Sequence, residues 1–162
     1  MRWLAIIVPF ILSLNASAQY TITSDSIADG KINAADLAQL YNWYNKGFNH
    51  YQPDKATIDS LKPYVKHLSV MTVLGTWCSD SREHVPHFMK LMHVLGVNEK
   101  QIELIGTLRN KQSSKFDISS LNIQYVPTFI VFYRGNEVGR IIEDTQVSIE
   151  KDLLHLLQDT QP

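Results

Sequence analysis

The chain has 162 residues, 44% of them hydrophobic and 19% charged, with a formal net charge of −1 and one cysteine. This near-neutral balance, without a basic run, excludes a phosphate-tracking nucleic-acid surface, and the ordinary composition fits one globular domain. A single thiol excludes an internal disulfide and a cysteine-based zinc cluster, so any redox chemistry has to be intermolecular.

Met1-Arg2, the apolar run Trp3 to Leu14 and the small-residue pattern Ala16-Ser17-Ala18 read as a cleavable secretory leader over 1–18. The mature chain then starts at Gln19. The apolar run is shorter than the roughly 20 residues a spanning helix needs, and the alternative is an uncleaved anchor. On this reading the mature protein is exported, into a bacterial periplasm, with no membrane span of its own.

Residues 19–52 read as an N-terminal helical extension. Gln19 to Lys31 is polar and carries the turn formers Ser24-Asp25-Ser26 and Asp29-Gly30, so it is expected to be a loosely held lead-in. Asn33 can cap a helix through about Asn45, with Leu37, Leu40, Tyr41 and Tyr44 on one face and Gly47 as its stop. The aromatic residues Tyr41, Trp43, Tyr44, Phe48 and Tyr51 are expected to pack this extension onto the domain, the alternative being a ligand surface.

A domain over 53–162 follows. A helix starts at Pro53-Asp54, runs through Ile58 and Leu61, and weakens at Pro63. Ser69 to Leu74 is apolar on both faces and reads as a central strand ending at Gly75. Ser79 to about Leu95 has helical period, with Val85, Phe88, Met89, Met92 and Leu95 inward and Gly96 as its stop. Ile102 to Gly106 is a second strand, and a polar segment leads to a short helix around Phe116 to Leu121. Pro127 to Tyr133, a turn at Arg134 to Glu137, and Val138 to Glu143 read as a hairpin. Ser148 to Gln158 is a closing helix. This order predicts an α/β fold with a mixed sheet, parallel across the first crossover and antiparallel at the hairpin edge.

Three features recur in one order. Trp77-Cys78-Ser79-Asp80-Ser81 sits at a strand-to-helix corner, Pro86 follows on the same helix, and Val126-Pro127-Thr128 precedes an apolar strand and Gly135. Together they resemble the thioredoxin family over roughly Pro53 to Asp159. The resemblance implies a thioredoxin-like three-layer α/β/α sandwich, a mixed sheet with a cis-proline loop at Val126-Pro127, and the N-terminal helical extension added to it. It also implies thiol–disulfide exchange at Cys78, with Trp77, Val126, Pro127 and Thr128 against the substrate and no cofactor. Partners would be protein or small-molecule thiols and disulfides. Serine stands at the family's second cysteine position, so the resolving thiol is absent. Thr72 stands where the family holds a buried aspartate.

The chemistry of the corner can be stated from the residues. A cysteine just ahead of a helix meets free N–H groups and the positive end of the helix dipole, both of which favour thiolate. Ser81, one turn on, can donate a hydrogen bond to that sulfur. Asp80 opposes the anion, and Arg82 and His84 are expected to offset Asp80 in part. The alternative for Cys78 is an inert buried thiol. Function is therefore expected to be monothiol oxidoreductase or isomerase activity. The alternative is a non-catalytic binding module for exported clients. A third reading is a metal site from Cys78, His84 and His87, but an exposed HxxH is more often a solvated helix face, so no metal is expected. The sequence carries no signal of oligomeric state.

Overall fold

The computed structural model describes residues 19–160, so the expected leader over 1–18 lies outside the described residues. Six strands form one sheet: β1 (Tyr20–Ile22), β2 (Ala28–Ile32), β3 (Leu68–Leu74), β4 (Ile102–Gly106), β5 (Thr128–Tyr133) and β6 (Asn136–Ile142), in the order β1-β2-β4-β3-β5-β6. Helix α4 (Ser79–Leu95) crosses from β3 to β4, which are parallel, and every other neighbouring pair is antiparallel. Side chains alternate between two cores, as a strand's two-residue period requires. Leu68, Val70 and Leu74 of β3 and Phe129, Val131 and Tyr133 of β5 enter the larger core; Val73 and Ile130 enter the smaller one.

The larger core is helical. Helices α1 (Ala34–Leu40), α2 (Asn42–His50), α3 (Lys55–Leu61), α4 and α5 (Ile149–Gln158) all contribute to it, through residues such as Leu37, Tyr44, Leu61, Phe88 and Leu153. The opposite face is covered by the segment 107–126, whose Ile118, Ile123 and Val126 bury Val73, Ile105 and Ile130.

Three expectations are corrected. The first concerns residues 19–32, which form two strands rather than a loose lead-in. The turn residues Ser24, Asp25 and Ser26 are exposed, but Asp29 points to a partner instead of solvent. The buried Asp29 carboxylate accepts both the N–H of Ser114, at 3.1 and 3.2 Å, and its hydroxyl, at 2.5 Å. Gly106 lets β4 approach β2, since a Cβ there would lie 2.4 Å from the Ala28 carbonyl oxygen.

The second concerns the expected single helix, which breaks at Tyr41 (φ −132°, ψ 109°) into α1 and α2. The Tyr41 hydroxyl donates to Ser26 O at 2.9 Å, and Asn45 Nδ2 donates to Ala38 O at 2.6 Å, taking up a carbonyl that the break releases. Gly47 does not stop the helix; it lies inside α2. A Cβ there would sit 2.5 Å from Pro86 Cγ, so glycine is what allows α2 to seat on α4.

The third concerns 116–121, where a three-residue 3-10 turn, Ser119–Leu121, replaces the expected helix. Ser113 Oγ accepts from the N–H groups of Lys115 and Phe116, and Asp117 Oδ1 accepts from that of Ser119. Such local bonds compete with helix formation. The second face of the sheet is therefore covered by loop.

Candidate functional site

The parallel pairing of β3 and β4 brings the ends of both strands together, with Leu74 opposite Gly106. The residues just past those ends build the site. Gly75 turns the chain, its carbonyl accepting from Cys78 N at 2.9 Å, and Cys78 becomes the N-cap of α4 with its side chain half-buried. Trp77 folds back over Gly75. A Cβ on Gly75 would come within 2.7 Å of the indole, so only glycine leaves room. The indole Nε1 donates to Thr107 O at 2.9 Å, and the Arg109 guanidinium stands 5.7 Å from the ring.

Segment 126–128 closes the other side. The Val126–Pro127 peptide bond is cis. The Cys78 thiol donates to the Val126 carbonyl at 3.2 Å, and Asp80 Oδ2 is a second acceptor at 3.9 Å. Thr128 Oγ1 donates to Tyr125 O at 2.7 Å, and Pro127 O accepts from Glu143 N at 2.8 Å, fixing the loop from both ends. Tyr125, which precedes Val126, and Ile142, which pairs with Thr128 across the hairpin, are exposed apolar side chains at 52% and 48%.

The other expected partners of Cys78 are engaged elsewhere. Ser81 is fully buried, and its hydroxyl accepts from Gly75 N at 3.1 Å rather than donating to sulfur. It holds the strand-to-helix corner. Arg82 Nε donates to Thr76 O at 2.8 Å, and His84 Nε2 lies 3.4 Å from Asp144 Oδ1, so neither charge is set against Asp80. The helix terminus gives Cys78 no side-chain cap hydrogen bond. Its two hydrogen-bond partners among the described residues, Val126 O and Asp80 Oδ2, are acceptors. Thr72 is buried, and its hydroxyl has no hydrogen-bond partner among the described residues.

A second polar cluster joins the helical layer. His87 stacks on Tyr51 with ring centroids 4.4 Å apart, and Tyr51 donates to Glu150 Oε2 at 2.5 Å. Glu150 Oε1 accepts from Asp54 N at 3.1 Å. Burial pushes the Glu150 carboxyl up, but the hydrogen bonds from Tyr51 and from backbone N–H groups outweigh it and leave the group below its ordinary range. Burial, then the Glu150 contact, raises Tyr51. Burial, then the neighbouring His84, lowers His87. The rings of His84 and His87 lie 6.3 Å apart, and among the described residues no group of three His, Cys, Asp or Glu side chains is placed to hold a metal ion. A groove of about 930 Å³ lies elsewhere, lined by residues such as Tyr20, Lys31, Asn33, Met89 and Glu103.

The structure thus brings together Trp77, Cys78, Asp80, Val126, Pro127 and Thr128, and turns Ser81, Arg82 and His84 to other partners. Sequence reasoning missed Thr76, Thr107 and Arg109. Thr76 accepts from Ala28 N at 3.1 Å through its hydroxyl, which anchors the corner to β2. Thr107 accepts the indole N–H. The available signal was topological: residues following two adjacent parallel strands converge at the carboxyl edge of a sheet.

No family model matches the chain, and no curated protein does. The fold is similar to the crystal structure of a protein of unknown function from Pseudomonas aeruginosa, with a TM-score of 0.53 and 14% identity. The match covers 79% of this chain and 87% of that one, and it speaks to the fold alone.

Proposed function

We propose that the protein is an exported monothiol oxidoreductase or isomerase of thioredoxin type, forming mixed disulfides with other molecules through Cys78. One observation carries this reading: the chain's single thiol is half-exposed at a strand-to-helix corner, 3.2 Å from the Val126 carbonyl that precedes Pro127. An extended substrate segment laid along 126–128 would present its sulfur to Cys78 beside Trp77. Without a second cysteine the mixed disulfide is released only by an external thiol. Exchange and de-capping of mixed disulfides therefore suit the site better than net reduction.

The experiment is a pull-down under non-reducing conditions with wild type and Cys78→Ala. No internal thiol competes, so wild type should itself trap disulfide-linked partners, and the alanine variant should trap none. An identical partner set from both proteins would sink the proposal. A second reading, a non-catalytic module that grips clients in the same groove, draws on the acceptor-only surroundings of the sulfur. It expects client binding to survive Cys78→Ala with unchanged affinity.

A further inference from the structure

We propose that Asp80 is the proton-transfer group of this site, an inference that rests on the exchange chemistry proposed for Cys78. Among the described residues the sulfur has two hydrogen-bond partners, Val126 O at 3.2 Å and Asp80 Oδ2 at 3.9 Å. Both accept a hydrogen bond, but only the carboxylate can keep the proton. Ser79 Oγ donates to Asp80 Oδ1 at 3.2 Å, which leaves Oδ2 for the sulfur. Nucleophile, base and orienting hydroxyl thus come from one helical turn, the arrangement that activates a nucleophile.

Among the described residues no other side chain hydrogen-bonds to the thiol. Ser81 Oγ is held by Gly75 N, and Arg82 is spent on the Thr76 carbonyl. Thr72 carries a buried hydroxyl, which does not ionise near neutral pH. Among the described residues Asp80 forms no ion pair, so no cation holds its carboxylate in place. A contact of 3.9 Å is long, and catalytic hydrogen bonds are often long before substrate binds.

The step balances without an oxidant. The Cys78 proton passes to Asp80 Oδ2 as Sγ attacks one sulfur of a disulfide R–S–S–R′. The S–S bond breaks, the Cys78–S–S–R bond forms, and R′–S⁻ takes the proton from Asp80 as it leaves. The products are a mixed disulfide and one thiol. A second thiol resolves the mixed disulfide by the same steps in reverse.

Such a group matters most when the leaving thiolate is basic. An aliphatic thiolate needs the proton, whereas an aromatic nitrobenzoate thiolate leaves readily without it. Because one sulfur attacks both, the ratio of the two rate constants does not depend on how much thiolate is present. The test uses the full chain as wild type, Asp80→Asn and Asp80→Glu. Stopped-flow rates are measured near neutral pH with dithiodipropionate and with dithionitrobenzoate, which both carry two carboxylates, so that loss of the Asp80 charge moves both rates alike. In Asp80→Asn the aliphatic-to-aromatic ratio should fall about a hundred-fold, the lower end for a positioned acid–base group, and Asp80→Glu should restore most of it. A fall of less than about ten-fold overturns the assignment, whether both rates rise from lost charge or both drop from local damage. The dithionitrobenzoate rate also reports that the corner has folded. If wild type exchanges with both reagents and the ratio holds, Asp80 alone loses its role. If wild type forms a mixed disulfide with neither, the exchange reading falls, and the Asp80 role with it.

Discussion

Replacing Tyr51 by Phe removes one oxygen atom and keeps the ring that stacks on His87. Glu150 is 4% exposed, and Tyr51 supplies its 2.5 Å hydrogen bond at Oε2, while Oε1 keeps the Asp54 N–H at 3.1 Å. A hydrogen bond to a charged group contributes about 1.5–3 kcal/mol, and its loss here leaves a buried carboxylate oxygen without its donor. The expected destabilisation is about 2 kcal/mol, or a Tm lower by about 4–8 °C for a domain of this size. The pH dependence gives a second check. The folded Glu150 value lies below its ordinary 4.5, so its contribution is present above that value and is lost as pH falls through the lower folded one. The gap between wild type and Tyr51→Phe should therefore be full at neutral pH and narrow in acid. Urea titrations followed by circular dichroism measure both, and Glu150→Gln with the double variant completes a cycle. A neutral-pH loss below about 0.5 kcal/mol, within the range of ordinary surface changes, would refute the reasoning, as would an undiminished loss in the Glu150→Gln background.

Gly47→Ala should gain about 1 kcal/mol of helix propensity yet lose more, because its Cβ meets the rigid Pro86 ring at 2.5 Å and overpacking costs about 1–3 kcal/mol. A net stabilisation in urea would show that α2 can move off α4 freely. Gly75→Ala should push the indole of Trp77 off the corner and break its bond to Thr107, read as a red shift in tryptophan emission with a faster Cys78 alkylation rate. An unchanged spectrum would contradict that geometry. For His87 the folded value lies below its ordinary 6.5, so the unfolded chain takes up a proton first and stability falls as pH drops through that value, levelling off below the folded one. His87→Phe, which keeps a ring on Tyr51, should flatten this part of the stability curve; an unchanged slope would assign it to another group.

The elements that follow from local chemistry were legible. The strand expected over 69–74, the amphipathic helix after Cys78 with Gly96 at its end, and the hairpin between 127 and 143 are present in the structure, the hairpin with a turn two residues shorter than expected, because periodicity and turn residues act within a few positions. Asn33 was readable as a helix cap and Pro53-Asp54 as a helix start for the same reason. Residues 19–32 were not, since Asp29 is satisfied by Ser114 and Ala28 N by Thr76, and Gly106 leaves room for the Ala28 carbonyl, all distant in sequence. A polar strand whose partners lie far along the chain looks like a loop until those partners are known.

The site divides in the same way. The sequence by itself determined that there is one thiol, that it precedes a helix, and that no internal cysteine can resolve a mixed disulfide. Only the tertiary structure decided what surrounds the sulfur. It gave the Ser81 hydroxyl to Gly75, the Arg82 guanidinium to Thr76 and the His84 ring to Asp144, and left Val126 O and Asp80 Oδ2 facing Cys78. The physical reason is competition. Ser81 and Arg82 are taken by backbone groups of the corner itself, at Gly75 and Thr76, and the acceptors left beside the sulfur come from the 126–128 loop and the first turn of α4.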